Sequence, residues 1–331
     1  MGLPDVIAFT MLTALVLYVL LGGADFGGGI WDLLATGPRA REQRRAIEEA
    51  IAPVWEANHV WLILVIVLLF TCFPLGFSVA SIALHLPLTL MLFGIVLRGS
   101  AFVFRQYGGK EHDSRWGKVF AIASLITPFF LGVCLGAITA GGIRVEDEAV
   151  VSGLYETWLG AFPVAVGAFT LVLFAYLAAV YLTAENADDE GLARDFRFRA
   201  MVTSVAVALV AVLVASASNE APHFREALLG SWWSAPLQIA TALAALVALL
   251  ALWTHRYELA RIAAIAQVAL IVFGWGLAQR PYLIAPDVEL HEAAAPPLTL
   301  RLVAWALAIG SLVLFPSLAG LFRIFKLPGR R

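Results

Sequence analysis

The chain has 331 residues, of which 61% are hydrophobic and only 14% charged, with a formal net charge of −2. Soluble domains carry roughly 25% charged residues and bury about three quarters of their surface at this size, so so apolar a chain (mean hydropathy +0.86) excludes an ordinary cytosolic enzyme, a disordered chain and a nucleic-acid binder. Its two cysteines, Cys72 and Cys134, lie in apolar runs and exclude a disulfide scaffold or a CxxC metal or haem motif.

Membrane-spanning helices need about 20 mostly apolar residues. Nine segments qualify: Val6–Ala24, Ala50–Cys72, Val79–Phe104, Trp116–Ala140, Thr157–Thr183, Ala200–Ser218, Trp232–Thr254, Glu258–Ala278 and Leu300–Lys326. The first lacks a basic start and a small-x-small cleavage site, and reads as a retained helix rather than a signal peptide. The fold class is therefore an all-α integral membrane protein in one transmembrane domain. No loop is long enough for a separate domain; Gly141–Glu156 and Gln279–Thr299 read as short caps on the outer face.

Alternate loops carry Arg39–Arg45, Arg105–Lys118, Arg194–Arg199, Arg256–Arg261 and Arg323–Arg331, together 17 of the 22 basic residues. The opposite loops hold only Arg144, Arg225, Arg280 and Arg301, and Arg98 lies inside a span. The positive-inside rule then places the N-terminus outside and the C-terminus in the cytoplasm.

Ionisable groups inside a bilayer are expensive, so the few present are informative. The first span ends Gly22-Gly23-Ala24-Asp25-Phe26-Gly27-Gly28-Gly29. That many glycines weaken a helix and allow either close helix contact or irregular backbone lining a cavity. Asp25 among them reads either as an interfacial carboxylate or as a proton-handling one. The second span opens Trp55-Glu56-Ala57-Asn58-His59-Val60-Trp61, with Glu56 and His59 on one face. Glu56 is either a structural partner of His59 or a titrating carboxylate near the cytoplasmic end. Arg98 in the third span calls for a counter-charge, for which Asp25 or Glu56 is the candidate. His59 and His85 come out at similar depth on adjacent antiparallel spans, the one pair able to ligate a single haem. Cross-helix hydrogen bonding is the commoner use of such histidines, and no metal and no haem are expected on this chain. Glu185, Asp188, Asp189 and Glu190 read as a solvated acidic loop.

Over residues 20–105 the order of motifs resembles subunit II of the cytochrome bd-type quinol oxidases. The resemblance rests on the G-x-D-x-G-x-G end of the first span (Gly23–Gly29), the basic stretch Arg39–Arg45 and the string Ala-Ile-Ala-Pro-Val-Trp-Glu-Ala-Asn-His-Val-Trp-Leu (Ala50–Leu62). Phe73-Pro74 and Leu97-Arg98 followed by Phe102 and Phe104-Arg105 complete it.

The resemblance implies two four-helix bundles, about residues 6–140 and 157–278, plus a peripheral helix at about 300–326. It also implies a heterodimeric enzyme of the prokaryotic plasma membrane that oxidises quinol, reduces oxygen to water and builds a proton-motive force. The partner, subunit I, would hold two b-type haems and one d-type haem. This chain would hold none, support that partner and contribute to proton and oxygen access. Membrane lipid, small single-span accessory subunits and a structural quinone remain open as further partners, and nucleic acid is excluded. By matched position, Asp25 and Glu56 fall on the proton path, Trp61 near the oxygen route, and Arg98 and Arg105 on the basic positions ending the third span. Two departures stand out. Many members have aspartate where Glu56 stands, and many have glutamate where His59 stands, so a proton-carrying role for His59 is an expectation only. An ion-coupled secondary transporter, with a glycine-broken helix, and a purely structural assembly subunit are the competing readings.

Overall fold

The structure, a computed structural model, describes residues 2–51, 55–107 and 113–325, with side chains for 2–51, 58–104 and 115–320. Twelve α-helices run through the described residues. In chain order they are α1 (Leu3–Leu33), α2 (Ala40–Ile51), α3 (Trp55–Cys72), α4 (Pro74–Ala83), α5 (His85–Tyr107) and α6 (Asp113–Ala140), then α7 (Ala161–Glu185), α8 (Glu190–Ala217), α9 (Pro222–Gly230), α10 (Ser234–Trp253), α11 (Tyr257–Gln279) and α12 (Pro297–Phe325). Eight of these are long and apolar enough to cross a bilayer, or up to nine if α3 and α4, bent by 115° at Phe73, count as one span.

α1 forms the axis of the structure. It packs against α3, α6, α7 and α11, while α12 lies mainly against α1 and α3. The glycine run does not break α1, which is helical from Leu3 to Leu33. Close contact is its use. A Cβ on Gly27 would lie 2.0 Å from the Phe174 carbonyl oxygen, and one on Gly29 would lie 2.1 Å from Ser124 Oγ. The helix backbones therefore meet where no larger residue fits, the small-residue contact expected where lipid offers no hydrophobic drive to association. The premise of a glycine-broken helix, on which the transporter reading rested, fails here.

The core around α1 is aromatic, with Tyr18, Phe26, Phe174, Tyr176 and Phe196 fully or almost fully buried. Outward faces are as apolar as the core: Leu209 and Val212 on α8 and Trp305 and Leu312 on α12 are exposed. That inversion suits a protein whose solvent is hydrocarbon.

α2 is not foreseen from the sequence, which shows only a basic stretch there. Gly37, at φ +82°, turns the chain out of α1. α2 then lays Ile47 and Ile51 onto the core and leaves its charges outward. Arg39 forms an ion pair with Asp195 at 2.5 Å, and Arg199 donates to Gln43 Oε1 at 2.7 Å, so α2 and the start of α8 share one end of the structure.

The opposite end is covered by the two loops read as caps. They carry two small antiparallel hairpins, β1 (Val145–Glu146) with β2 (Ala149–Val150) and β3 (Tyr282–Ile284) with β4 (Val288–Glu289). Asp287 of the second clips the first, accepting from Arg144 Nε at 2.7 Å and from the Val145 amide at 2.9 Å. The same cap holds the start of α1 through Arg280 to Asp5 at 2.7 Å, and the end of α3 through the Ala295 amide to the Cys72 carbonyl at 2.8 Å.

Candidate functional site

The polar residues singled out in the first spans converge around one aromatic ring, Phe26. Asp25 on α1 is 5% exposed, and its Oδ2 accepts a hydrogen bond from Asn58 Nδ2 on α3 at 2.5 Å. The next residue, His59, lies between two rings of α1, with centroids 6.0 Å from Tyr18 and 5.9 Å from Phe26. On the other side, the Arg98 guanidinium of α5 sits 4.6 Å from the Phe26 centroid and 4.9 Å from that of Phe120. Its Nε donates to Ser124 Oγ at 3.2 Å, and Ser124 in turn donates to the Phe120 carbonyl at 2.7 Å.

Arg98 is 2% exposed, and among the described residues no carboxylate lies within ion-pair distance of it. Asp25 is within electrostatic reach without touching it. Aromatic faces and a hydroxyl are thus the neighbours of this cation among the described residues, and a desolvated cation over such faces gains about 2 kcal/mol or more, while Glu56, the other expected counter-charge, has its side chain outside them. Tyr18 Oη, His59 Nδ1 and one terminal nitrogen of Arg98 are buried without a hydrogen-bond partner among the described residues. Such atoms are costly in an apolar interior unless something polar meets them, and their gathering in one place marks a site rather than a packing defect.

A cavity of about 60 Å³ opens onto this cluster, lined among others by Asp25, Asn58, Ile47, Ile51, Tyr181 and Glu185. It is large enough for water, and in mostly apolar walls Asp25, Asn58, Tyr181 and Glu185 offer water its polar partners. Glu185 is the last residue of α7, at the end where α2 and the start of α8 meet. Glu185, Asp188, Asp189 and Glu190 are all exposed, as expected of a solvated acidic patch, but Glu185 closes α7 rather than lying in the loop and lines the cavity, while Asp189 caps α8 through the Gly191 and Leu192 amides. Asn58, Tyr18, Ser124 and Tyr181 also escape a search for ionisable groups. The signal for Asn58 is a polar amide in an apolar run, and that for Tyr18 is its seven-residue spacing from Asp25, which puts both on one helix face.

Other expected residues fall elsewhere. His85 is exposed on the first residue of α5, bonded to the Ile82 carbonyl at 3.3 Å. The expectation of similar depth for His59 and His85 fails because Val79–Ala83 belongs to the bent helix α4, so α5 begins only at His85, near the end where α3 finishes. α3 packs on α1, and α5 on α6. The two histidines therefore do not face each other, the described residues hold no cluster of metal-ligating side chains, and the site does not fit a bis-histidine haem. Trp61 is 6% exposed within the main core. The side chains of Glu56 and Arg105 lie outside the described residues.

The sequence profile of the family described as cytochrome bd terminal oxidase subunit II matches residues 3–325. The chain belongs to that family. It is thus a subunit of a membrane quinol oxidase complex of bacteria. A Bacillus subtilis chain assigned as cytochrome bd menaquinol oxidase subunit II is 23% identical over 327 residues, covering 93% of this chain and 91% of that one. The cytochrome bd-I ubiquinol oxidase subunit 2 of Escherichia coli K12 is 24% identical over 340 residues, covering 89% and 86%. A chain from the structure of the bd oxidase of Geobacillus thermodenitrificans superposes with a TM-score of 0.78 at 23% identity, covering 99% of this chain and 100% of that one, and so shares the fold.

Proposed function

We propose that this subunit supports a haem-bearing subunit I and leads protons from the cytoplasmic end toward the site of oxygen reduction, while holding no haem itself. The observation that carries the proton role is the cavity joining Glu185 to the Asp25–Asn58 pair. A proton relay needs titratable groups spaced along a wetted path. Glu185 stands at the mouth, Asp25 receives the proton inside, and the Asn58 amide fixes one oxygen of that carboxylate so that it cannot swing away. His59, one residue on, is the next group able to carry a proton. Glu56, one helical turn before His59, is the second carboxylate that the family resemblance places on the path.

In this reading nine spans cross the membrane, with α3 and α4 counted together, the N-terminus outside and the C-terminus inside. The ends agree with it. The Arg39, Asp195 and Arg199 cluster lies at the basic end, and the hairpin caps lie at the other. Trp61 is placed beside an oxygen route, Arg98 braces the α1–α5–α6 contact through Phe26 and Ser124, and Arg105 ends the third span on the cytoplasmic side. The haems supply the redox chemistry when subunit I is present. This chain's own residues hold and move protons.

The test is to purify the tagged chain from its native membranes and record the reduced-minus-oxidised spectrum. A larger partner with b- and d-type bands, absent when the chain is made alone, is the expected result. Glu185→Gln in that complex should slow oxygen uptake with quinol. Haem bands on the isolated chain, or full activity of the Gln variant, would overturn the respective half of the proposal.

A further inference from the structure

A second concavity, of about 450 Å³, lies at the basic end between the α7–α8 connection and the α10–α11 turn. Its walls carry Arg194, Arg197, His255 and Tyr257, with Glu190 as the one carboxylate. Neither arginine pairs with a carboxylate among the described residues. Arg197 donates to His255 Nε2, and the Arg197 Nε is buried without a partner among the described residues. His255 sits at φ +62°, a left-handed conformation that costs a non-glycine residue energy. α11 starts two residues on, after Arg256 as its N-cap, and has no side-chain cap, so uncapped backbone amides begin at Tyr257, on the wall of the concavity.

Below this polar mouth the neighbouring faces are apolar and uncovered. Val202, Val205 and Leu209 repeat along one side of α8, and Leu246, Leu250 and Trp253 along one side of α10. The two helices touch only along a short stretch. A cationic mouth above an apolar groove matches a molecule with an anionic head and hydrocarbon tails.

We propose that this concavity binds the phosphodiester headgroup of an anionic phospholipid, held by Arg194 and Arg197, with its acyl chains along α8 and α10. The site is separate from the Asp25 cavity and does not depend on the proton reading. Arginine suits the role because its planar fork matches phosphate oxygens. The groove argues for a lipid rather than free phosphate, which would gain nothing from it.

The experiment uses the intact oxidase complex, delipidated in mild detergent and titrated with phosphatidylglycerol or phosphatidylcholine, with bound lipid counted by native mass spectrometry. One phosphatidylglycerol should bind in preference to phosphatidylcholine. Arg194→Gln and Arg197→Gln should each weaken it about fivefold, the worth of one basic contact near a lipid surface. Arg41→Gln, at the same end but outside the concavity, should leave binding unchanged, and the haem spectrum should stay intact in all three. Equal binding of both lipids, or equal weakening by Arg41→Gln, would overturn the proposal. So would displacement of the lipid by millimolar inorganic phosphate, which would reassign the site to the free anion.

Discussion

The Asn58 amide donates to Asp25 Oδ2 at 2.5 Å across the contact between α3 and α1, where Asp25 is 5% exposed. This bond does two things at once. It joins two spans, and it sets the orientation of the inner of the two carboxylates that line the cavity. Removing a hydrogen bond to a charged group in a buried place costs about 1–3 kcal/mol. Asn58→Leu should therefore yield a complex that assembles less well, with the assembled fraction turning over more slowly. Oxygen uptake normalised to haem content checks this, and an unchanged normalised rate would show that Asn58 matters to packing alone.

Gly27 meets the backbone of α7 so closely that a methyl group would fall 2.0 Å from the Phe174 carbonyl oxygen. Gly27→Ala should separate α1 from α7 and cost about 1–3 kcal/mol, the usual range for overpacking. Gly310→Ala in α12 meets nothing within 4 Å and should be neutral. The thermal midpoints of the two detergent-solubilised variants give the comparison.

Ser124 is the acceptor for Arg98 Nε. Ser124→Ala leaves a second nitrogen of that buried guanidinium unmet, at a cost of about 1–3 kcal/mol. The effect should appear as a lower thermal midpoint and be absent in an Arg98→Met background, where no charge is left to satisfy. Equal loss in both backgrounds would argue against the Arg98–Ser124 bond as the cause.

At the opposite end, burial of Asp287 works against its charge. The Arg144 guanidinium and the Val145 amide outweigh it and hold the carboxyl below its ordinary value of 3.8. A depressed pKa adds stability that is full above the ordinary value and fades as pH falls through the lowered one. The hairpin cap should thus be firm at neutral pH and loosen only in strong acid. Asp287→Asn should lower the thermal midpoint at pH 7, and the gap from wild type should close as pH drops below about 4. A gap that persists at acid pH would mean the side chain acts by shape.

Much of this was legible in the residues, for reasons that also explain what was not. Apolar runs fix where helices cross, because the bilayer demands about 20 such residues. The starts of α7 and α8 still moved by several residues, since hydropathy marks the apolar stretch and not the helix end: α8 begins at Glu190, in the Asp189 cap, well before the apolar run from Ala200. α2 was missed because its pattern is amphipathic and short. The bend at Phe73 was missed in its extent, and with it the depth of His85, because one proline signals a turn but not where the next helix sets off. Asp25, His59 and Arg98 were found because charge in a bilayer is conspicuous. Their true neighbours, Asn58, Tyr18 and Ser124, are polar residues of ordinary kind, and only the packing of α1 between α3 and α6 brings them together.

The most direct test of the proton role is oxygen uptake by an Asp25→Asn complex. The substitution keeps the size and an acceptor oxygen for Asn58, and removes the charge and the ability to carry a proton. Quinol-driven oxygen consumption per haem should fall by a factor on the order of 100, the lower range for loss of a group that moves a proton, while the haem spectrum and subunit ratio stay as in wild type. Wild-type turnover in that intact complex would show that Asp25 is a structural partner of Asn58 and that the cavity from Glu185 leads protons nowhere.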